Sequence, residues 1–207
     1  MRIKAAVLAL ALSLFCLPAL AQFNGHSEVS VDFTGNFQKQ ASGVGPYTNT
    51  TGDVITDAST NAGGFLLNYR YEFSNWNSIE VNYAQTRFAQ TYTGTSGDFL
   101  HVQSNVHEVT MAYVNNLGFS AHARFRPFVE AGTGGLIFSP TVTSDAVSTQ
   151  TEMAFVYGGG VDVRAIPHLA IRVGYRGLIY KAPDFEYFGT GPVTNMAEPY
   201  VGVVFRF

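Results

Sequence analysis

Acidic and basic residues recur at alternate positions in six stretches of this sequence, between residues that are mostly apolar. A strand points alternate side chains to opposite faces, so the charged residues of each stretch would share one face. Carboxylates and guanidiniums that meet on an enclosed face form paired, charge-assisted hydrogen bonds, whereas in water they form a solvated surface. The residues predicted to form such a lumenal charge network are Arg70, Glu80, Glu108, Arg126, Glu130, Glu152, Asp162, Arg164, Arg172 and Arg176.

The histidines are the residues to consider for acyl-transfer chemistry. A His-x-Ser pair on a strand would place base and nucleophile on one face, with an acid nearby. His26 is followed directly by Ser27, however, and His101 has the opposite parity to Ser104. The spacing therefore predicts no Ser-His-acid site and no catalytic residue.

Metal and phosphate motifs are equally weak. His101, His107 and Glu108 do not have the spacing of a closed metal site. The glycine run 158–160 lacks the Lys and Ser/Thr that complete a phosphate-binding loop. We therefore predict no metal and no cofactor.

The elements that carry the charged residues are predicted to be strands, because hydrophobicity alternates with a period of two along most of the chain. In the first stretch Val29, Val31 and Phe33 lie on one face, and Asp32 and Thr34 lie on the other. The eight predicted strands are EVSVDFTGNFQK, GGFLLNYRYEF, SIEVNYAQTRF, NVHEVTMAYV, RFRPFVEAGTGGLIF, TEMAFVYGGGVDVR, LAIRVGYRGLIY and EPYVGVVFRF.

The predicted connections alternate between short and long. The short ones lie near 74–77, 115–123 and 165–168, and the last contains Pro167, which suits a tight turn. The long ones are rich in Gly, Ser, Thr, Asn and Asp, as loops are. They cover approximately residues 40–60, 93–101, 139–150 and 181–195.

Alternation alone does not decide which face of the sheet points inward. A soluble lipocalin-like barrel turns its apolar face inward, whereas a membrane barrel turns it outward to lipid. Strands of about ten residues suit a tilted crossing of the hydrocarbon layer. Short turns alternating with long loops, and aromatic residues such as Tyr71 and Tyr113 near the ends of the apolar faces, are typical of outer-membrane barrels. These features favour the membrane barrel.

The start of the chain reads as a secretory signal peptide. Arg2 and Lys4 precede an uncharged apolar run over residues 5–17, which is too short to span a bilayer as a helix. A small-x-small pattern predicts cleavage after Ala21, leaving Gln22 as the first mature residue. The predicted organisation is a signal peptide over residues 1–21 and one barrel domain over residues 22–207.

Composition agrees with export of a β-rich chain. Removing the signal peptide leaves 10 basic and 15 acidic residues, a formal net charge of −5, with no basic run that would suit nucleic acid. Charged residues make up 13% of the chain, about half the soluble average. The single cysteine, Cys16, lies in the signal peptide, so no disulfide framework is expected.

The mature chain resembles the small eight-stranded outer-membrane β-barrels of Gram-negative bacteria, like the transmembrane domain of outer membrane protein A. The most specific stretches are FVEAGTGGLIF, FVYGGGVDVRAIPHLAIRVGYRGLIY and EPYVGVVFRF. In that family a terminal Phe with apolar residues at alternate preceding positions is read by the barrel-assembly machinery. The resemblance implies the same role here for Val201, Val203, Phe205 and Phe207.

The resemblance further implies a location in the cell outer membrane, periplasmic termini and four external loops. Outer-membrane lipid and lipopolysaccharide are then the expected surroundings, and no nucleic-acid partner is expected. No peptidoglycan-binding domain follows Phe207, so a role in tethering the membrane to the cell wall is not expected.

We therefore expect an all-β, eight-stranded antiparallel up-and-down transmembrane barrel that acts as a monomer. Its expected role is structural or surface-interacting, through its extracellular loops, and not enzymatic. The alternative is a narrow pore or small-molecule binder that uses the lumenal charges, since side chains nearly fill an eight-stranded barrel. A lipid-modifying enzyme and a soluble lipocalin-like binder are weaker alternatives.

Overall fold

The computed structural model describes residues 26–44, 54–93, 99–117, 123–141, 149–183 and 193–207. No helix in these ranges is long and apolar enough to cross a membrane. The described ranges form ten strands: β1 (His26–Gln38), β2 (Ala41–Val44), β3 (Val54–Ser59), β4 (Ala62–Glu72), β5 (Asn77–Thr93), β6 (Phe99–Asn116), β7 (Phe125–Pro140), β8 (Gln150–Ile166), β9 (Leu169–Lys181) and β10 (Val193–Arg206).

Eight of these strands, β1 and β4 to β10, close into an antiparallel barrel. Each pairs with the next in chain order, and β1 pairs with β10 to complete the ring. At the seam the backbones of Ser27 and Phe207 exchange two hydrogen bonds of 3.1 and 2.9 Å. Because the ring is closed, each barrel strand has a hydrogen-bonded strand on both sides, as a hydrocarbon environment requires. The predicted eight-stranded up-and-down barrel is confirmed.

One end of the barrel, here called the turn end, carries the short connections. Between β4 and β5 the backbones of Ser74 and Asn77 exchange hydrogen bonds of 3.2 and 3.3 Å. The Ser74 hydroxyl also accepts from the backbone N–H groups of Trp76 and Asn77, which fixes the turn. Between β8 and β9 only residues 167–168 intervene. The opposite end is here called the loop end.

The predicted loop over residues 40–60 is wrong in part, because β2 and β3 lie within it. β5 runs antiparallel to β4 and extends beyond the first residue of β4, so the final residues of β5 need another backbone partner. β3 supplies it, pairing Ser59 with Gln90 and Thr56 with Thr93, and β2 pairs with β3. The three consecutive β-branched residues at the start of β3 suit a strand despite their loop-like neighbours. The other three predicted loops, over residues 93–101, 139–150 and 181–195, each overlap the ends of the flanking strands by one to three residues.

The apolar face of each strand points outward, as the membrane-barrel interpretation requires. Phe33 is 76% exposed, whereas its neighbour Asp32 is fully buried inside the barrel. The same contrast repeats around the ring. The outward apolar residues include Val31, Phe65, Leu67, Ile79, Val81, Val109, Met111, Val129, Met153, Phe155, Ile171, Val173, Val201, Val203 and Phe205.

The polarity of the two faces exchanges where β5 and β6 approach the loop end. Arg87 and Gln103 are exposed on the outside and share a 3.1 Å hydrogen bond. Phe88, Val102 and Val106 are buried on the inside. Polar-out and apolar-in is the pattern of a protein in water, so this section extends beyond the hydrocarbon layer.

The inward apolar residues of the loop-end half form one packed cluster, here called the apolar cluster. It closes the lumen above the charged section. Its members are Phe88, Val102, Val106, Leu136, Phe138, Ala154, Val156, Leu178, Tyr180 and Met196.

Candidate functional site

Arg172 is the centre of a buried ion-pair network in the lumen. Alternation on β9 points its side chain inward, where it is 1% exposed. Its guanidinium lies 2.7 Å from Asp162 on β8, 3.1 Å from Glu28 on β1 and 3.2 Å from Glu80 on β5. One side chain therefore joins carboxylates from three other strands.

Three further arginines complete this group of charges. Arg70 lies 2.7 Å from Glu80 and 3.8 Å from Asp162. Arg126 pairs with Glu28 at 3.1 Å and also with Glu72, and Arg206 pairs with Glu28 at 2.6 Å and with Asp162 at 3.1 Å. This main charge cluster thus has four arginines and four carboxylates, which balance. Its members are Arg70, Arg126, Arg172, Arg206, Glu28, Glu72, Glu80 and Asp162.

An aromatic ring supports the main charge cluster from the lumen. The Phe128 ring centre lies 4.3 Å from the Arg70 guanidinium carbon and 5.1 Å from that of Arg172. Both distances suit cation–π attraction, which strengthens where water is excluded. Gly160 on β8 leaves the space for this ring, since a Cβ there would lie 2.9 Å from Phe128 Cζ. Strand glycines thus make room for large lumenal side chains.

A second group of charges lies nearer the loop end and contains one arginine. Arg176 lies 2.6 Å from Glu108 on β6 and also pairs with Glu198 on β10. The Thr110 hydroxyl donates to Glu108 at 3.0 Å. We call Arg176, Glu108 and Glu198 the Arg176 cluster. With it, all eight barrel strands contribute to lumenal ion pairing.

Glu130 is a buried carboxylate near the Arg176 cluster. It is 5% exposed, and neither carboxylate oxygen has a hydrogen-bond partner among the described residues. Burial without a partner is costly for a carboxylate. Its place in the lumen therefore does not stabilise the fold by direct pairing.

The structure brings seven of the ten predicted network residues into the two charge clusters. Arg164 instead lines the turn-end opening, and Glu152 lies in the loop-end half, where it accepts a 2.8 Å hydrogen bond from Gln150. Glu130 is the buried carboxylate described above. The seven are Arg70, Glu80, Arg126, Asp162, Arg172, Glu108 and Arg176.

Four members of the charge clusters were not among the predicted site residues. Glu28 has the same parity as Asp32 and is the first residue of the first predicted strand stretch, and Glu72 lies near the end of the second. Glu198 and Arg206 lie on the inner face of the last strand, whose outer face carries the predicted assembly signature. All four lie within the predicted strands, so applying the period-two pattern to every residue of those strands identifies them.

The described histidines lie apart from one another. The His107 ring stacks on Tyr83 on the outer surface, with Nδ1 2.9 Å from the tyrosine hydroxyl. His168 is in the turn before β9, with Nδ1 3.2 Å from the carbonyl oxygen of Arg206, and His26 is exposed at the turn end. No group of three metal-ligating side chains occurs within the described ranges.

The predicted assembly signature lies on the outer face of β10. Val201, Val203, Phe205 and Phe207 are each about half exposed, and the rings of Phe205 and Phe207 lie 6.0 Å apart. The predicted cleavage site at Ala21 and Gln22 lies outside the described residues.

The arrangement fills much of the lumen with buried side chains. Ion pairs tie strands together across the barrel, and the apolar cluster fills the section above them. Such a lumen can hold strands in register.

Comparison with known proteins agrees with this geometry. The outer membrane protein beta-barrel domain family matches residues 7–207. The outer membrane protein OprG from Pseudomonas aeruginosa has a similar structure, with a TM-score of 0.67 and 14% identity over 88% of this chain and 96% of OprG. Neisserial surface protein A is also similar, with a TM-score of 0.56 and 13% identity over 88% of this chain and 97% of that protein. No curated protein sequence matches the chain significantly.

The family match covers nearly the whole chain, and the two solved structures share its barrel fold. The outward apolar belt and the closed ladder are what a bilayer requires of such a barrel. This chain therefore belongs to the outer membrane protein beta-barrel domain family and is a protein of the cell outer membrane.

Proposed function

We propose that this protein is a non-conducting, non-enzymatic anchor that presents its loop-end segments at the cell surface for structural or surface interactions. The observation that carries this proposal is the filled lumen. Two ion-pair clusters occupy its middle section, and the apolar cluster occupies the section nearer the loop end. A barrel filled in this way supports rigid display rather than diffusion.

The shape of the loop end supports a role in presenting segments of the chain at the cell surface. β5 and β6 extend beyond the apolar belt, and the β2–β3 hairpin continues the sheet there by pairing with β5. In the proposed orientation this end faces outward and both termini face the periplasm. The loop end would then stand clear of the lipid surface.

The same end carries basic groups suited to an anionic lipid surface. Lys39, Arg87 and Lys181 are exposed there. Guanidinium and ammonium groups at this level suit the phosphates of lipopolysaccharide. We propose outer-membrane lipid and lipopolysaccharide as the immediate surroundings, and a monomer as the working unit, because the ring closes within one chain. Insertion by the barrel-assembly machinery through the β10 signature belongs to the same proposal.

Planar-bilayer recording tests the closed lumen. The folded wild-type protein should show no stable conductance above the bare bilayer. A steady, reproducible conductance would contradict the anchor proposal and favour a narrow path through the charge clusters.

Replacement of the β2–β3 hairpin tests the surface role. A variant with residues 41–59 replaced by a short Gly-Ser linker should retain heat-modifiable gel mobility, because the eight barrel strands remain. Cells that carry it should adhere less to matrix-coated wells than wild-type cells. Equal adhesion of wild-type cells, variant cells and cells without the protein would contradict the surface role.

Mass spectrometry of lipid A tests the absence of enzymatic activity. Lipid A from cells with and without the protein should have the same acyl composition. A protein-dependent change in acyl chains would overturn the non-enzymatic proposal.

A further inference from the structure

The outer face of the barrel changes from apolar to polar on β5 and β6 as these strands approach the loop end. Five outward side chains there carry amide, guanidinium or imidazole groups, and none of the five is acidic. We call them the outer polar patch: Gln85, Arg87, Gln103, Asn105 and His107. The next two outward residues of β6 toward the turn end, Val109 and Met111, are apolar and 50% and 57% exposed. The patch therefore adjoins the outward apolar belt at its loop-end border.

Strand pairing holds the outer polar patch together. Gln85 lies opposite His107, and Arg87 lies opposite Asn105. Gln103 is the diagonal neighbour of Arg87, and its amide oxygen accepts a 3.1 Å hydrogen bond from the guanidinium. Opposite and diagonal neighbours in a sheet lie within about 8 Å of each other. A single ligand of the size of a disaccharide can therefore contact the whole patch.

Arg87 is an exposed cation, and within the described ranges no carboxylate forms an ion pair with it. Its hydrogen bond to Gln103 engages a neutral oxygen. Gly64 on β4 pairs with Thr86, so the outward residue of β4 beside Arg87 is Gly63, which has no side chain to cover the guanidinium. The guanidinium is thus open to an anion, and its planar fork suits phosphate oxygens.

An aromatic and apolar surface lies directly beside the patch, on its turn-end side. The His107 ring stacks on the Tyr83 ring with the two centres 6.1 Å apart, and Nδ1 lies 2.9 Å from the tyrosine hydroxyl. The Phe65 ring centre lies 6.3 Å from that of Tyr83. These rings continue into the apolar belt at Val109 and Met111. A lipid with its headgroup on the patch would lay its acyl chains on this surface.

The mixture of polar groups favours a phosphorylated sugar over a simple phospholipid headgroup. A phosphate alone requires only the guanidinium of Arg87. The side chains of Gln85, Gln103 and Asn105 add amides, each with both a donor and an acceptor, which match the hydroxyl and amide groups of a sugar. The headgroup of lipopolysaccharide is a phosphorylated glucosamine disaccharide that carries its acyl chains directly, so it has all of these groups.

We propose that the outer polar patch binds the phosphorylated glucosamine headgroup of one lipopolysaccharide molecule, with a phosphate held by Arg87. The inference rests on the proposed function, which places the loop end at the outer leaflet and lipopolysaccharide around it. It adds a defined site on β5 and β6 to that general contact. The acyl chains of the same molecule lie along Phe65, Tyr83 and Val109.

Native mass spectrometry of the folded protein in detergent, titrated with diphosphoryl lipid A, tests the site. We expect saturable binding of one lipid A molecule. Arg87→Gln should weaken its affinity about tenfold, because the substitution removes a charge-assisted hydrogen bond. Arg87→Lys keeps the charge but loses the planar fork, so its affinity should be intermediate. Dephosphorylated lipid A should bind about tenfold more weakly to the wild type and equally to Arg87→Gln.

Two control variants separate a defined site from general attraction between charges. Arg124→Gln makes the same substitution at an exposed arginine of the turn end and should leave the affinity unchanged. Lys39→Gln removes an exposed cation at the loop end, outside the patch, and should change the affinity less than twofold. Gel mobility before and after boiling verifies that each variant is folded.

Three results would overturn the proposal: no saturable binding of lipid A, an equal loss in Lys39→Gln and Arg87→Gln, or equally tight binding of phosphatidylglycerol. The last would show a general site for anionic lipids. Conductance and cell adhesion test the anchor role in separate experiments. A protein that passes those two and fails to bind lipid A would reject the patch alone, whereas a conducting barrel would reject the anchor role.

Discussion

Asp162 on β8 and Arg172 on β9 are directly opposite each other on neighbouring strands. The Arg172 guanidinium donates hydrogen bonds to both carboxylate oxygens of Asp162. Arg172 Nε lies 2.7 Å from Asp162 Oδ1, and Nη2 lies 3.0 Å from Oδ2. This bidentate geometry is the strongest form of a carboxylate–guanidinium contact. It connects neighbouring strands by side chains, at a level where the same guanidinium also contacts β1 and β5.

Replacement of Arg172 with methionine should strongly destabilise the barrel. Arg172→Met leaves Asp162, Glu28 and Glu80 with one guanidinium fewer, and breaking a buried pair from one side costs about 3–5 kcal/mol. Urea unfolding in lipid vesicles, followed by the fluorescence of Trp76, measures the free energy of unfolding. Arg87→Met, at an exposed hydrogen bond, should cost less than about 1 kcal/mol. Equal losses in the two variants would contradict the structural role of Arg172.

Two buried glutamates should respond differently to the same substitution. Glu108→Gln weakens charged hydrogen bonds to Arg176 and Thr110 and should cost about 1.5–3 kcal/mol. Glu130→Gln removes a buried charge that has no hydrogen bond among the described residues, so stability should stay the same or rise. The same unfolding measurement compares them, and a larger loss for Glu130→Gln would show that its pairing has been misjudged.

A methyl group at Gly174 should crowd the lumen. A Cβ there would lie 2.4 Å from Cζ of Tyr200, whose ring is buried with Leu66 and Ala84. Gly174→Ala should therefore cost about 1–3 kcal/mol through overpacking. Gly63→Ala is the control, since its Cβ would have no neighbour nearer than 3.9 Å. Equal thermal stability of the two variants would mean that Tyr200 moves aside freely.

An arginine scan of the outer face should locate the lipid boundary. Met111 is 57% exposed in the middle of the apolar belt, so Met111→Arg should cost about 2–4 kcal/mol in a bilayer. Thr93 is exposed near the loop end, beyond the point where the faces exchange polarity, so Thr93→Arg should cost about 0–1 kcal/mol. The free energy of refolding into vesicles measures both, and similar costs would place Thr93 within the hydrocarbon.

Much of the fold could be predicted from the sequence because hydrophobicity alternates with the same period of two in the strands of the whole barrel. The alternation of Val29, Val31 and Phe33 predicts both the strand and its outward face. The β2–β3 hairpin was missed for a different reason. Its pairing depends on how far β5 extends beyond the end of β4. The relative length of two strands is a property of the assembled sheet rather than of local composition.

The sequence predicts which charged side chains share the lumenal face, but it does not predict which of them form ion pairs. Parity placed Arg172 and Asp162 inside, yet it gave no means to choose between partners on different strands. Glu28 contacts residues that lie about 100 to 180 positions away in sequence, so the choice depends on barrel closure and stagger. The turn-end opening was not predicted, because it arises where strand ends meet around the ring.

The apolar cluster affects how the stability of this membrane protein depends on temperature, whereas the outward apolar belt does not. Side chains of the belt face hydrocarbon, whereas those of the cluster move from water into the protein interior when the chain folds. Exposure of such apolar surface to water raises the heat capacity on unfolding. The loop-end half should therefore dominate the curvature of stability with temperature, and that half should be the first part of the barrel to weaken on cooling.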